Sequence, residues 1–372
     1  MEVVQVAGLY PPHLGGEEAV VEQLAQLQSN EHRVTVYTST LGAQDAPRLE
    51  QRTGRAGRLR VVRQRAVRIA NTPLIPGLLV RLVRHEPKPD VVHVHTGHAV
   101  IPEIVAVAAR LRGLRYIAHQ HLMVRPSSRA GRVLLPLYYR LLYGSFLRRA
   151  ERVICLTSAM RNELITAFGL DPNRVAVVPN GVDPVRFRPG AAPREPAELL
   201  FVGRLAPQKN VDALLDAAAE LRDAGRQPII RIIGEGVERA RLQAKAARLG
   251  LSNVVFEGRR KPDEIADAYA RATVVVMPST HEGMPLVLLE AMAAGAPVVA
   301  SGLSEIVEAG GDAVVTVDPV TPSALAAALC RILDDASLRD RLSEAGRRRA
   351  GRYTWEAVAA SIDGLYAEVR ES

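Results

Sequence analysis

Glu282 and Glu290 stand with seven residues between them in Met277-Pro-Ser-Thr-His-Glu-Gly-Met-Pro-Leu-Val-Leu-Leu-Glu-Ala-Met-Ala-Ala-Gly-Ala-Pro297. Here a buried strand gives way to a polar turn and then to a helical pattern. Pro285 suits the first helical position, where its missing N–H costs nothing. Glu290 then falls among Leu288, Leu289 and Met292, a costly place for a carboxylate without partners. Sugar or ribose hydroxyls would supply them. The backbone N–H groups of Gly283, Met284 and Leu286, on either side of Pro285, lie at the helix start, where a phosphate or hydroxyl-rich ligand is favoured. The plainer alternative makes Glu282 a helix-start acid and Glu290 a buried ion-pair partner.

Two further segments carry phosphate chemistry. Phe201-Val-Gly-Arg204-Leu-Ala-Pro-Gln-Lys209 places a guanidinium and an ammonium after a strand and before a helix, a clamp suited to a diphosphate. Solvated surface cations are the alternative. Near the start, Gly15 and Gly16 precede a helix opened by Glu17 and allow backbone N–H groups to approach a phosphate; a plain tight turn would explain them too. No G-x-G-x-x-G follows the first strand, and Arg239 replaces the third glycine after Gly234-Glu-Gly236, so hydride-transfer chemistry is disfavoured. His93, His95 and His98 have a metal-like spacing, with His93 and His95 on one strand face. Without a carboxylate or cysteine nearby they are read as strand-end polar residues facing an acceptor, with no metal. His119 and His121 close another strand.

The elements that position these groups follow from length and pattern. The chain has 372 residues, 48% hydrophobic and 24% charged, enough for two cores and unlike a disordered chain. Cys155 and Cys330 are the two cysteines, which favours a reducing, cytoplasmic setting. No leader segment is expected at Met1-Glu2-Val3-Val4, and the longest stretch without charge, Ala291 to Ser304, spans only 14 residues. The net charge of +8 is unevenly placed: residues 1–185 hold 24 Lys and Arg against 14 Asp and Glu, while the remainder holds 24 against 26. An anionic small molecule or membrane surface is expected against the first half, more than nucleic acid. Two basic stretches stand out, Arg48–Arg68 with eight arginines and Arg125–Arg152 with seven. The second has the pattern of an amphipathic helix.

Short β-branched runs alternate with helical patterns throughout, the mark of α/β architecture with parallel sheets. Strands are expected at Val3–Gly8, Arg33–Thr38, Leu59–Arg63, Asp90–His95, Arg115–His119, Arg152–Leu156 and Val175–Pro179. After a proline-rich join at Val178–Pro189 the rhythm restarts at Leu199–Gly203, Ile229–Gly234, Asn253–Glu257, Thr273–Met277, Val298–Ser301 and Val314–Val317. The expected domains are 1–182 on the acceptor side, 183–351 on the donor side, and a helix over 352–372 crossing back to the first. Ligands should lie beyond the carboxyl ends of the strands.

In this setting the Glu282-x7-Glu290 segment resembles the signature of retaining glycosyltransferases of family 4, which have the two-lobed GT-B fold. Tyr10-Pro-Pro-His-Leu-Gly-Gly16, Val202-Gly-Arg-Leu-Ala-Pro-Gln-Lys-Asn210, Val178-Pro-Asn-Gly-Val-Asp183 and Tyr353-Thr-Trp-Glu356 are similar to the same family in the same order. The resemblance implies a nucleotide-diphosphate sugar donor, most commonly a UDP-sugar, and a hydroxyl acceptor. It assigns Arg204 and Lys209 to the diphosphate, with Gly15 and Gly16 closing over it. Glu290 is implied on the ribose, Glu282 and Gly283 to Leu286 beside the sugar, and the backbone near Gly258 and Arg259 at the base. His121 is implied as the active-site histidine, with His119 the alternative, and His95 and His98 fall on the acceptor side. The resemblance implies a front-face transfer that needs no metal or other cofactor. A GT-B epimerase, or a non-catalytic module binding sugar nucleotide or anionic membrane, is the rival reading.

Overall fold

The computed structural model describes residues 1–12, 15–41, 53–69, 72–123, 135–190 and 196–371. Parts of the Tyr10–Gly16 loop and of both basic stretches therefore lie outside the described residues. The chain divides into two compact units, Met1–Asn180 with Trp355–Ser372, and Gly181–Thr354.

The first unit is built on β1 (Glu2–Val6), β2 (Arg33–Ser39), β3 (Thr53–Ala56), β4 (Leu59–Gln64), the small antiparallel pair β5 (Val67–Ile69) and β6 (Thr72–Leu74), then β7 (Val91–His95), β8 (Tyr116–Gln120), β9 (Arg152–Cys155) and β10 (Val175–Val177). Its main sheet runs in the order β10-β9-β8-β7-β1-β2-β4-β3 and is parallel except for β3, which pairs antiparallel with β4. The seven strands expected from the sequence are all present, with ends shifted by one or two residues. β3, β5 and β6 are only three or four residues long, too short for a strand pattern to stand out in advance.

Alternation in Val91-Val-His-Val-His95 divides the β7 side chains between two faces. Val92 and Val94 join the apolar core with Val4, Val6, Tyr116 and Ala118. His93 and His95 point to the other face, which is packed by the helix Gly16–Gln28 and by the C-terminal helix Trp355–Glu371. That last helix buries Trp355, Val358, Ala359, Ile362, Tyr366 and Val369 at helical spacing. Gln28 donates to Asp363 at 2.7 Å.

The second unit holds β11 (Glu198–Val202), β12 (Ile229–Ile233), β13 (Val254–Gly258), β14 (Val274–Met277), β15 (Val298–Ser301) and β16 (Val314–Val317). All pair in parallel in the order β13-β12-β11-β14-β15-β16. This is the doubly wound order, whose direction reverses between β11 and β14. In the first unit the equivalent reversal lies between β1 and β7. At each reversal, adjacent strands send their following loops to opposite sides, which opens a place for a ligand at the strands' carboxyl ends.

Candidate functional site

The second unit places its expected residues on the two loops that flank its switch point. After β11 the chain turns through Gly203, Arg204 and the short helix Pro207–Lys209, then enters the helix Val211–Asp223 through Asn210 in a left-handed conformation, φ 51°. Asparagine tolerates that region better than most residues. After β14 the chain passes through Pro278–Pro285 into the helix Leu286–Ala293. The loops are tied together: Asn210 Nδ2 donates to the Pro278 carbonyl at 3.1 Å, and the Thr280 N–H donates to the Gln208 carbonyl at 2.8 Å.

Across this tie, Lys209 Nζ donates to Glu282 Oε1 at 2.6 Å, with the lysine side chain 19% and the glutamate 9% exposed. An ammonium has three donors. Glu282 takes one and leaves two for another anion. Arg204 is exposed at the end of β11 and has no ion pair among the described residues. Gly283, Met284 and Pro285 are buried, with Pro285 as N-cap rather than first residue of the helix; Leu286 follows half-buried.

Glu290 accepts a 2.9 Å hydrogen bond from the Tyr269 hydroxyl. Burial pushes its carboxyl up to about 7, against the opposing pull of Tyr269 and Arg186. Tyr269, on the buried face of Pro262–Arg271, gave no motif signal in the sequence; only the three-dimensional packing reveals it.

A neighbouring pair of loops closes the same end of the sheet. Gly234 has φ 142°, and a Cβ there would fall on the Gly203 carbonyl. Gly258, φ 74°, ends β13 and is buried beside Glu235, while Arg259 is exposed. These glycines let backbone approach backbone across β11, β12 and β13, with the Gly234 N–H donating to the Gly258 carbonyl at 2.8 Å.

In the first unit the loop after β1 leads through Gly15, an extended N-cap, and Gly16 into the helix Gly16–Gln28. Glu17 accepts the Gly97 N–H, and burial, with Glu18 alongside, pushes its carboxyl up to about 8. This residue was not singled out from sequence, where it reads as an ordinary helix-start acid. His98 lies on the loop after β7, half-buried, against Gly8 and Pro73.

Four histidines form a stack on the sheet face under the C-terminal helix. His95 Nδ1 and His121 Nε2 share a hydrogen bond at 2.9 Å, and His93 Nε2 and His119 Nδ1 share one at 3.1 Å. His93 Nδ1 is bound to the Tyr366 hydroxyl at 2.5 Å. Burial lowers all four: His121 to about 4 and His93 to about 3, with His95 and His119 well below the usual imidazole value. The structure thus groups His93 and His95 with His119 and His121, through the β7–β8 register His95↔His119, rather than with His98. Pairing of two parallel strands is not visible in a linear spacing.

The family model "Glycosyltransferase Family 4" matches residues 14–186, and "Glycosyl transferases group 1" matches residues 184–349. The chain is 31% identical over 303 residues to a D-inositol 3-phosphate glycosyltransferase of Acidothermus cellulolyticus, covering 75% of this chain and 67% of that one. A Frankia alni protein of the same description is 34% identical, with 75% and 74% covered. One from Streptomyces bingchenggensis is 38% identical over 59% of this chain and 53% of its own. The chain spans about half to three quarters of the length of these relatives. Among solved structures, sucrose-phosphate synthase of Thermosynechococcus elongatus has a TM-score of 0.78 at 21% identity, over 99% of this chain and 98% of that one. Anabaena Alr3699/HepE in complex with UDP-glucose has 0.77 at 19%, over 98% and 99%. Both likenesses are in fold, the GT-B fold.

Proposed function

Because the chain belongs to glycosyltransferase family 4, we propose that it transfers a sugar from a nucleotide-diphosphate donor, a UDP-sugar, to an acceptor hydroxyl with retention at the anomeric carbon. The observation that carries this reading is the Lys209–Glu282 pair at 2.6 Å, held at the switch point of the second sheet beside an exposed Arg204. In the proposed reaction Arg204 and the two free donors of Lys209 take the negative charge that grows on the departing diphosphate. N–H groups at the start of Leu286–Ala293 add to this. Glu282 takes the sugar's hydroxyls, Glu290 the ribose, and the backbone near Gly258 and Arg259 the base. His121 keeps the role of active-site histidine in this reading. The leaving phosphate accepts the acceptor's proton on the face where the new bond forms, so no metal enters the step.

An anionic acceptor suits the arginine excess of residues 1–185. The names of the relatives, which specify an inositol phosphate, support the same class. Contact with an anionic membrane at the cytoplasmic face is a second reading, favoured by Leu137, Leu141 and Leu142, each more than half exposed beside exposed Arg140. Among the described residues no helix is long and apolar enough to cross a membrane. Sedimentation with anionic vesicles at low salt tests this part, and absence of binding ends it.

The donor reading is tested by thermal shift with UDP, GDP and ADP. UDP is expected to stabilise the wild-type chain. Arg204→Ala and Lys209→Ala are each expected to weaken UDP by ~10- to 100-fold, the loss of one or two charge-assisted hydrogen bonds. Equal shifts in wild type and variants refute the clamp. Product analysis with UDP-sugar separates transfer from epimerisation and from binding alone.

A further inference from the structure

His95, the last residue of β7, is 0% exposed, which leaves no face for an acceptor to touch. Its Nδ1 instead meets His121 Nε2 at 2.9 Å, with the two ring centres 5.2 Å apart and 17° between their planes. The backbone that carries His121 is held independently. The Thr96 N–H donates to the His119 carbonyl at 3.0 Å, and Gln120 Nε2 donates to the Leu122 carbonyl at 2.6 Å. Stacking on His119, 4.2 Å between centres, sets the plane of the His121 ring. Neither the backbone nor the stacking distinguishes one ring nitrogen from the other. A hydrogen bond does.

We propose that His95 is a positioning residue for His121: it donates from Nδ1–H to His121 Nε2 and so holds the active-site histidine with its proton on Nδ1. The role of His121 comes from the transfer reading; its tautomer does not. Burial keeps both rings neutral near pH 7, so the bond has one donor and one acceptor. Either assignment leaves His95 Nε2 without a partner among the described residues, and that atom does not choose between them. Glu18 does. It is 6% exposed, its carboxylate lies against Gly15 where a Cβ would overlap it, and its negative charge favours a proton on His121. With Nε2 taken by His95, Nδ1 is the nitrogen that remains to carry a proton under that charge.

A ring held in this way offers a fixed N–H donor. That fits a transfer in which the acceptor's proton goes to the leaving phosphate and not to the histidine. It also separates the two histidines of β7: His93 binds the Tyr366 hydroxyl of the C-terminal helix, whereas His95 serves the loop after β8.

The test begins on the full chain without substrate, so its failure is separate from failure of the transferase reading. Long-range proton–nitrogen NMR with nitrogen-labelled histidine should show His121 protonated at Nδ1 with a bare Nε2, and His95 protonated at Nδ1. His95→Leu removes the bond and should let His121 populate both tautomers. His95→Asn places an amide N–H where Nδ1–H stood and should keep the single one. In turnover with a UDP-sugar, His95→Leu should lower kcat by ~3- to 10-fold, the loss of one hydrogen bond, with KM for the donor unchanged. His95→Asn should recover most of that loss. His32→Gln, at the Asp363 ion pair, should alter neither readout. Should no UDP-sugar turn over, the tautomers alone decide. A proton on His121 Nε2 in the wild type, a single tautomer retained in His95→Leu, equal loss of kcat in His95→Leu and His95→Asn, or a tautomer change in His32→Gln overturns the proposal.

Discussion

Glu290 combines a half-buried carboxyl, a tyrosine donor and a proton affinity raised to about 7. Its folded value lies above the ordinary 4.5, so the protonated form is favoured by folding: its contribution is fully present below pH 4.5 and is lost as the pH rises through 7. The whole effect is up to ~3 kcal/mol. Glu290→Gln removes that penalty, so its melting temperature should exceed the wild-type value at pH 8 and match it near pH 4.5. Binding runs the other way. A ribose hydroxyl donates best to the ionised carboxylate, so UDP affinity should rise between pH 6 and 8 in the wild type and stay flat in Glu290→Gln. The Glu282–Lys209 pair poses a different question, because each charge is partly withdrawn from water. Glu282→Gln leaves Lys209 without its carboxylate and should destabilise the second unit by ~3 kcal/mol, read as a lowered denaturation midpoint. Glu282 and Glu290 stood out because they sit in one continuous stretch, whereas the pairing of Glu282 with Lys209 spans 73 residues and appears only in the folded chain. Tyr269 and Glu17 did not stand out, since what they touch is remote in sequence.

At the scale of elements, strand positions were readable almost everywhere because parallel strands buried on both faces leave dense β-branched runs. β3 in Thr53-Gly-Arg-Ala56 has no such run and exists through its pairing with β4. The helix starts expected at Glu17 and Pro285 lie within a residue of the observed ones, with Pro285 serving as cap rather than first turn, while the C-terminal helix begins at Trp355, three residues after its expected start. Loop strain was not readable at all. Val100, a β-branched residue, sits at φ 73° just before Ile101–Arg112, where such side chains are seldom found. Val100→Gly should release ~1–2 kcal/mol of strain, seen as a rise in thermal midpoint of the first unit. Gly234→Ala should do the reverse in the second unit, because its Cβ meets the Gly203 carbonyl, a backbone atom with little room to yield. A loss of UDP stabilisation out of proportion to the lost thermal stability would show that the β11 loop moves with it.

For the whole molecule, two doubly wound units were expected from the rhythm of the chain, and two sheets with reversing strand order are observed. The pairing of β7 with β8, which turns four histidines into one cluster, depends on sheet register and could not be read from spacing. Removing residues 355–372 should uncover His93 and the Gly16–Gln28 helix, and so unfold the first unit while leaving the second intact. Two-step calorimetry would show one transition lost and one kept.

The first unit is assembled from both ends of the described chain, with Gly181–Thr354 emerging between its two parts. On a ribosome the β1–β10 sheet is complete while its covering helix is still unsynthesised. The wait covers about 175 residues, roughly 10–35 s at common translation rates. During that interval a face bearing four histidines stands uncovered, and the second unit, a continuous segment, can reach its native state first. Slower translation across residues 181–354 lengthens that interval and is expected to lower the yield of folded chain.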